Sequence, residues 1–298
     1  MGALGTRNRP GFGILLVVSS VFPSQPRPCI PPRWHQVLEP VVVGQPPAVR
    51  FFLREGIDLW REGGIWANTL AAGLQLGIGG LLWMKRPGWY RPGLWLSLGW
   101  ALVVWVFGEG LGGLLLPSAS LLTGAPGSAL LYAVWSVILL FSPDTIESAS
   151  IALMRGYWGL GLLLGQVAGR HLGSALIQMA QSPQPAWVSR PEYLLGHWLS
   201  VYPGWGREVL TGLWGVLAVL WTAFPRRWMT WALTGWVLAI MWWTGMDFGV
   251  LGGTGTDPNT PPLVAMALAV VIGSAMPGVR RQPRFSPFPA MRRVTGHD

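Results

Sequence analysis

The sequence predicts an all-α integral membrane protein of about eight transmembrane helices, arranged as two tandem parallel four-helix repeats. Three observations carry this expectation. Only 11% of the 298 residues are charged and 51% are hydrophobic, and the apolar residues gather in blocks long enough to cross a bilayer. Threading those blocks alternately through the membrane puts thirteen of the 21 Lys and Arg on the side of the two termini, and the short loops opposite carry none. Both termini are therefore expected in the cytoplasm. Finally, an ordered series of residues recurs at a nearly constant offset. Gln45, Pro46 and Val49 match Gln184, Pro185 and Val188, and Trp66 and Gly73 match Trp205 and Gly212. Further on, Trp105, Gly108 and Gly112 match Trp242, Gly245 and Gly249.

Taken in order, the expected spans run from about 10 to 23, 66 to 84, 92 to 116, 126 to 142, 151 to 169, 208 to 224, 228 to 251 and 261 to 276. The first, GFGILLVVSSVF, follows Arg7 and Arg9 and has the look of a signal peptide. It is read as a retained span because the fifth, YWGLGLLLGQVAG, requires a counterpart in the first copy. The fifth carries Arg155 close to its start. Long outer loops follow the first and fifth spans, and their amphipathic pieces AVRFFLREGIDLW and RPEYLLGHWLSVY read as surface-lying helices. Trp60, Trp66, Trp89, Trp198, Trp205 and Trp228 stand near block ends, where indole rings favour the interface. An even number of spans per copy gives the copies the same orientation, related by an axis along the membrane normal. The organisation is thus a first four-helix repeat over 1–143, a second over 144–277, and a basic, proline-rich tail over 278–298 that is expected to be disordered and cytoplasmic.

Composition also excludes chemistry. The formal charge of +9 lies on short loops and the tail, where membrane topology accounts for it, so no nucleic-acid partner is expected. Cys29 is the sole cysteine, which rules out an intramolecular disulfide and dithiol redox chemistry. His35, His171 and His197 form no HxH, HxxH or HExxH pair, so neither a metal site nor a cofactor is expected. The strings GIGG and GLGG lack the preceding strand and the Lys-Ser/Thr of a phosphate loop and suit close helix packing instead.

The candidate site lies where spans three and seven end. GWALVVWVFGEGLGG places Glu109 among Gly108, Gly110, Gly112 and Gly113, and WWTGMDFGV places Asp247 one register away in the second copy. Ionisable groups at such depth are costly unless paired, which makes them ligand or proton candidates. The glycines weaken the helix, and broken backbone at that depth needs protein or a water-filled cleft to satisfy it. A structural reading stands beside this one: Glu109 could dock on the N–H groups that open span four, and Asp247 on those of span eight. Pro126 and Pro261 suit a first helical turn and Thr260 an N-cap. Asp257, followed by Pro258, reads as a turn residue. Arg170 and His171, at the outer end of span five, are placed to neutralise either acid if the halves pack face to face. No residue is assigned a catalytic role.

The run GEGLGGLLLPSASLLTGAPGSALLY together with TGTDPN resembles a group of bacterial multi-pass proteins with a similar GEGxGG and GAPG signature; that group brings no activity and no catalytic residues. In layout, a four-span unit with a long first outer loop is also similar to the DoxX-like proteins, which implies an alternative role as an accessory subunit of a quinone-linked or respiratory electron-transfer system. The function expected from the residues is transport or ligand binding at an outward-facing cleft between the repeats, in a bacterial plasma membrane. A scaffold or assembly factor is the third reading. The expected partners are the lipid bilayer and a membrane protein or a second copy of the chain.

Overall fold

The computed structural model describes residues 41–276, apart from 85–86, 142, 168–170, 183 and 253–257. The expected first span, Cys29, Arg170, Asp257 and the basic tail lie outside these residues. Among the described residues the chain forms nine α-helices and no strand. They are α1 (Pro47–Trp83), α2 (Pro87–Val103), α3 (Ser128–Phe141), α4 (Ile146–Val167), α5 (Leu172–Met179), α6 (Ala186–Val201), α7 (Pro203–Ala223), α8 (Trp228–Thr244) and α9 (Thr260–Ala275).

Two of these helical stretches, Pro47–Trp83 and Gly88–Gly108, are long and apolar enough to cross a membrane, while Ser128–Phe141 and Thr260–Ala275 are apolar but shorter. At about 1.5 Å per residue, the fourteen residues of α3 rise only some 21 Å. The third span also differs from its expected extent of 92–116: α2 passes into a π turn over Val104–Gly108, and the chain then runs through tight turns and 3-10 segments to Gly127.

The long α1 is two helices joined at Gly64, whose φ of 52° and ψ of −130° break the helical path. A side chain is strongly disfavoured in that conformation, so glycine decides where the first piece ends. The corresponding break in the second half falls between α6 and α7, at Tyr202 and Pro203. The pieces before the two breaks are amphipathic, as expected: α6 buries Val188, Glu192, Gly196 and Leu199 and exposes Tyr193, Leu194 and Trp198.

Tryptophan serves two environments. Trp66, Trp89, Trp205 and Trp228 are exposed, as interfacial residues would be, whereas Trp135, Trp158, Trp214 and Trp221 are fully buried. Trp158 stacks on Trp214 with ring centroids 5.6 Å apart, and the Trp221 indole N–H donates to Thr234 Oγ1 at 2.8 Å. Arg155 is satisfied at the end of α7, donating from Nε to the Trp221 carbonyl (3.1 Å) and from Nη2 to the Thr222 carbonyl (3.3 Å). The last carbonyls of a helix lack intrahelical donors, so a guanidinium there neutralises both deficits.

The two halves meet through α3 and α9. The Trp135 indole N–H donates to the Leu263 carbonyl at 3.0 Å, and Thr260 Oγ1 donates to the Gly124 carbonyl at 2.8 Å. Thr260 is thus the first residue of α9 rather than its N-cap, a position held by Asn259. Pro126 likewise precedes α3 instead of opening it; its peptide bond with Ala125 is cis. At the same seam a Cβ on Gly245 would fall on the Leu122 carbonyl. Close backbone approach of this kind, with interhelical hydrogen bonds, is how helices associate where burial from water supplies no drive.

Candidate functional site

The corner after α2 is built on backbone that only glycine adopts readily. Gly110, Leu111, Gly112 and Gly113 all have positive φ, and a Cβ on Gly112 would land on the Pro126 carbonyl. This turn leaves Glu109 pointing at the start of α3. Its carboxylate accepts a 2.5 Å hydrogen bond from Ser128 Oγ and bonds of 3.1 and 3.2 Å from the Ala129 N–H. The first N–H groups of a helix have no intrahelical partner and carry the positive end of its dipole. Glu109 therefore occupies the docking role that stood as the structural reading. Trp105, one turn earlier, ties the corner by donating its indole N–H to the Pro126 carbonyl at 2.9 Å.

The corner after α8 begins the same way and ends differently. Trp242 donates to the Pro258 carbonyl at 2.9 Å, the counterpart of the Trp105 bond. Asp247, Phe248 and Gly249 then follow with positive φ, a conformation that costs a non-glycine residue about 1–3 kcal/mol and persists only where neighbours enforce it. Here the N-cap residue Asn259 makes no side-chain cap bond to the start of α9, and its Nδ2 donates to the Met246 carbonyl at 3.0 Å. Asp247 is 5% exposed and interacts instead with α6 and the residues before it, through the carboxyl of Glu192 and the side chain of Gln184.

Glu192 is completely buried. Gln184 Nε2 donates to its Oε2 at 3.2 Å. Burial first, and then the charge of Asp247 beside it, push the Glu192 carboxyl from the usual 4.5 up to about 8. Among the described residues no Lys, Arg or His forms an ion pair with either acid. Three oxygens of the cluster, Glu192 Oε1, Asp247 Oδ1 and Gln184 Oε1, are buried and have no hydrogen-bond partner among the described residues. Two carboxyls in such a place hold one proton between them more readily than two negative charges.

The local sequence explains how α6 reaches this corner. Pro191 has no N–H, which frees the carbonyl of Trp187 four residues earlier, and the Trp243 indole N–H donates to that carbonyl at 3.2 Å. Phe248 packs among Trp187, Trp242 and Trp243 at centroid distances of 5.3 to 6.3 Å. The left-handed backbone thus sends Phe248 into an aromatic nest and Asp247 onto Glu192.

Among the described residues, the expected ligand or proton candidates are therefore not brought together. Glu109 and Asp247 serve separate corners, and His171 is exposed at the start of α5, its carbonyl accepting from Ser174 Oγ at 2.9 Å. Pro258 is buried and works through its carbonyl. Gly108 belongs to the π turn, and Gly110 accepts a 3.0 Å bond from Gln45 Nε2 at its carbonyl. Among the described residues no cluster of three or more His, Cys, Asp or Glu could hold a metal. Sequence reasoning missed Glu192, although a signal was present: it lies at i+4 from Val188 and at i−4 from Gly196, on the buried stripe of α6. Comparison with protein-family models, curated proteins and solved structures returns no match for the chain.

Proposed function

We propose that this chain is a multi-pass membrane protein that binds or transports a small ligand in exchange with protons, with Glu192, Asp247 and Gln184 as its site. One observation carries the reading: two buried carboxyls interact with each other, and among the described residues neither forms an ion pair with a cation. A pair of this kind serves structure poorly and titration well, and perturbed groups of this sort concentrate at functional sites. The membrane setting is supported by the two long apolar helices and by large apolar side chains exposed along helix flanks, among them Leu70 (74%), Val219 (63%) and Trp236 (68%). The two-repeat reading draws support from the paired Trp105 and Trp242 bonds and from the breaks at Gly64 and Pro203, which keep the sequence offset.

In this arrangement both termini are cytoplasmic and α6 lies at the outer surface. Reporter fusions after residues 87, 150 and 226 should report cytoplasm, and fusions after 120 and 190 the outside. Proton handling is read in liposomes containing the full chain and a pH-sensitive dye. An imposed proton gradient should decay faster than in empty liposomes and faster than with Glu192→Gln. Equal rates in all three would overturn proton-linked transport.

A further inference from the structure

α5 and α6 form a close-packed hairpin, because Cβ atoms added at Gly173 or Gly196 would each collide with the carbonyl of the other. Polar ties hold this hairpin to the end of α8: the Trp243 bond to the Trp187 carbonyl, and the carboxyl pair with Gln184. The outer face of α6, with Tyr193, Leu194 and Trp198, is exposed, so nothing on that side among the described residues holds it down.

We propose that the proton shared by Glu192 and Asp247 is a latch that seats the α5–α6 hairpin against the end of α8, and that its loss frees the hairpin. The inference rests on the packing of α6 and not on transport. While one proton is present, a single hydrogen bond and one buried charge satisfy the pair. When the proton leaves, two negative charges face each other at a completely buried position, with the Gln184 amide as their polar neighbour.

Among the described residues, the elements packed on α6 bring no compensating cation. α5 and α8 contain no charged residue. Arg207 and Glu208 of α7 are exposed, as are Arg190 and His197 of α6 itself. Asp247 also sits in left-handed backbone, which is held in place by what its side chain meets. Losing that contact lets the turn relax and removes the reason for α6 to stay. Because titration falls near pH 8, the latch is closed at neutral and acid pH and opens in alkali.

Hydrogen exchange of the full chain in detergent, corrected for the intrinsic rate at each pH, tests this directly. One pH unit above the titration about a tenth of the pair keeps its proton. Between pH 6 and pH 9, peptides from 186–201 should therefore lose at least about tenfold in protection while peptides from 128–141 do not. Glu192→Gln keeps a hydrogen-bond donor that cannot ionise, and should hold α6 protected at both pH values. If that variant fails to fold, Asp247→Asn supplies the second arm: it removes the repelling charge, which moves any remaining Glu192 titration to lower pH, so the loss of protection between pH 6 and pH 9 should shrink or disappear. Unchanged protection of α6 in the wild type, equal loss in α3 and α6, or a wild-type response in either folded variant would each overturn the latch. A chain that shows the latch without proton flux would retain this inference and lose the transport reading.

Discussion

The corner after α2 and the corner after α8 start from matching sequence and reach opposite electrostatic solutions. In the first, Gln45 donates to the Gly110 carbonyl and Leu53 is fully buried. The corresponding positions in the second half are Gln184, Asp247 and Glu192. Glu109 faces a helix start, where N–H groups and a dipole stabilise its charge. Asp247, shifted by one residue, faces another carboxyl. A single register step thus separates an acid stabilised by its surroundings from one destabilised by them. The first corner has the features of a joint and the second those of a titratable site.

Mutations can break or sharpen that contrast. The largest effect is expected at the first corner's backbone. Gly112→Ala combines positive φ with a collision on the Pro126 carbonyl, and should cost on the order of 4 kcal/mol or more, read as loss of monodisperse protein in detergent. Recovery of normally stable protein would show that the turn can be rebuilt without glycine.

Next comes the pH profile of the second corner. Because the folded chain holds the Glu192 proton more tightly than the unfolded chain, the stability from the neutral form is full below about pH 4.5. It is lost progressively as pH rises to about 8. The melting temperature should fall across that window, and Glu192→Gln should flatten the fall. A profile that Glu192→Gln leaves unaltered would assign the titration elsewhere.

A smaller effect is expected for Glu109→Gln, which loses a charge-to-dipole contact worth about 1 kcal/mol. The variant should melt lower and keep any proton flux of the wild type; loss of flux at unchanged melting would move the functional site to the first corner. Trp105→Phe and Trp242→Phe each remove one indole hydrogen bond to a proline carbonyl and should cost about 1 kcal/mol apiece. Clearly unequal costs would show that the corners differ in packing as well as in charge. His171→Ala, at an exposed helix start, should stay within about 0.5 kcal/mol of wild type.

Much of the helical scaffold was legible in the sequence because it follows from local patterns. Apolar blocks, Pro46 and Pro185 before helices, and the amphipathic stripes of α6 each act within a few turns of chain. The break at Glu109 was legible too, since four glycines leave no other reading of 108–113. The role of each acid was not, because Glu109 meets Ser128, nineteen residues on, and Asp247 meets Glu192, 55 residues earlier. Glu192 is completely buried because its place on the stripe, beside Val188 and Gly196, turns it into the bundle. The sequence by itself determined the helices, their breaks and the presence of an acid in each half. The tertiary structure alone decided which acid would find a helix start and which a second carboxyl, because a one-residue shift on left-handed backbone redirects a side chain in a way that no local pattern records.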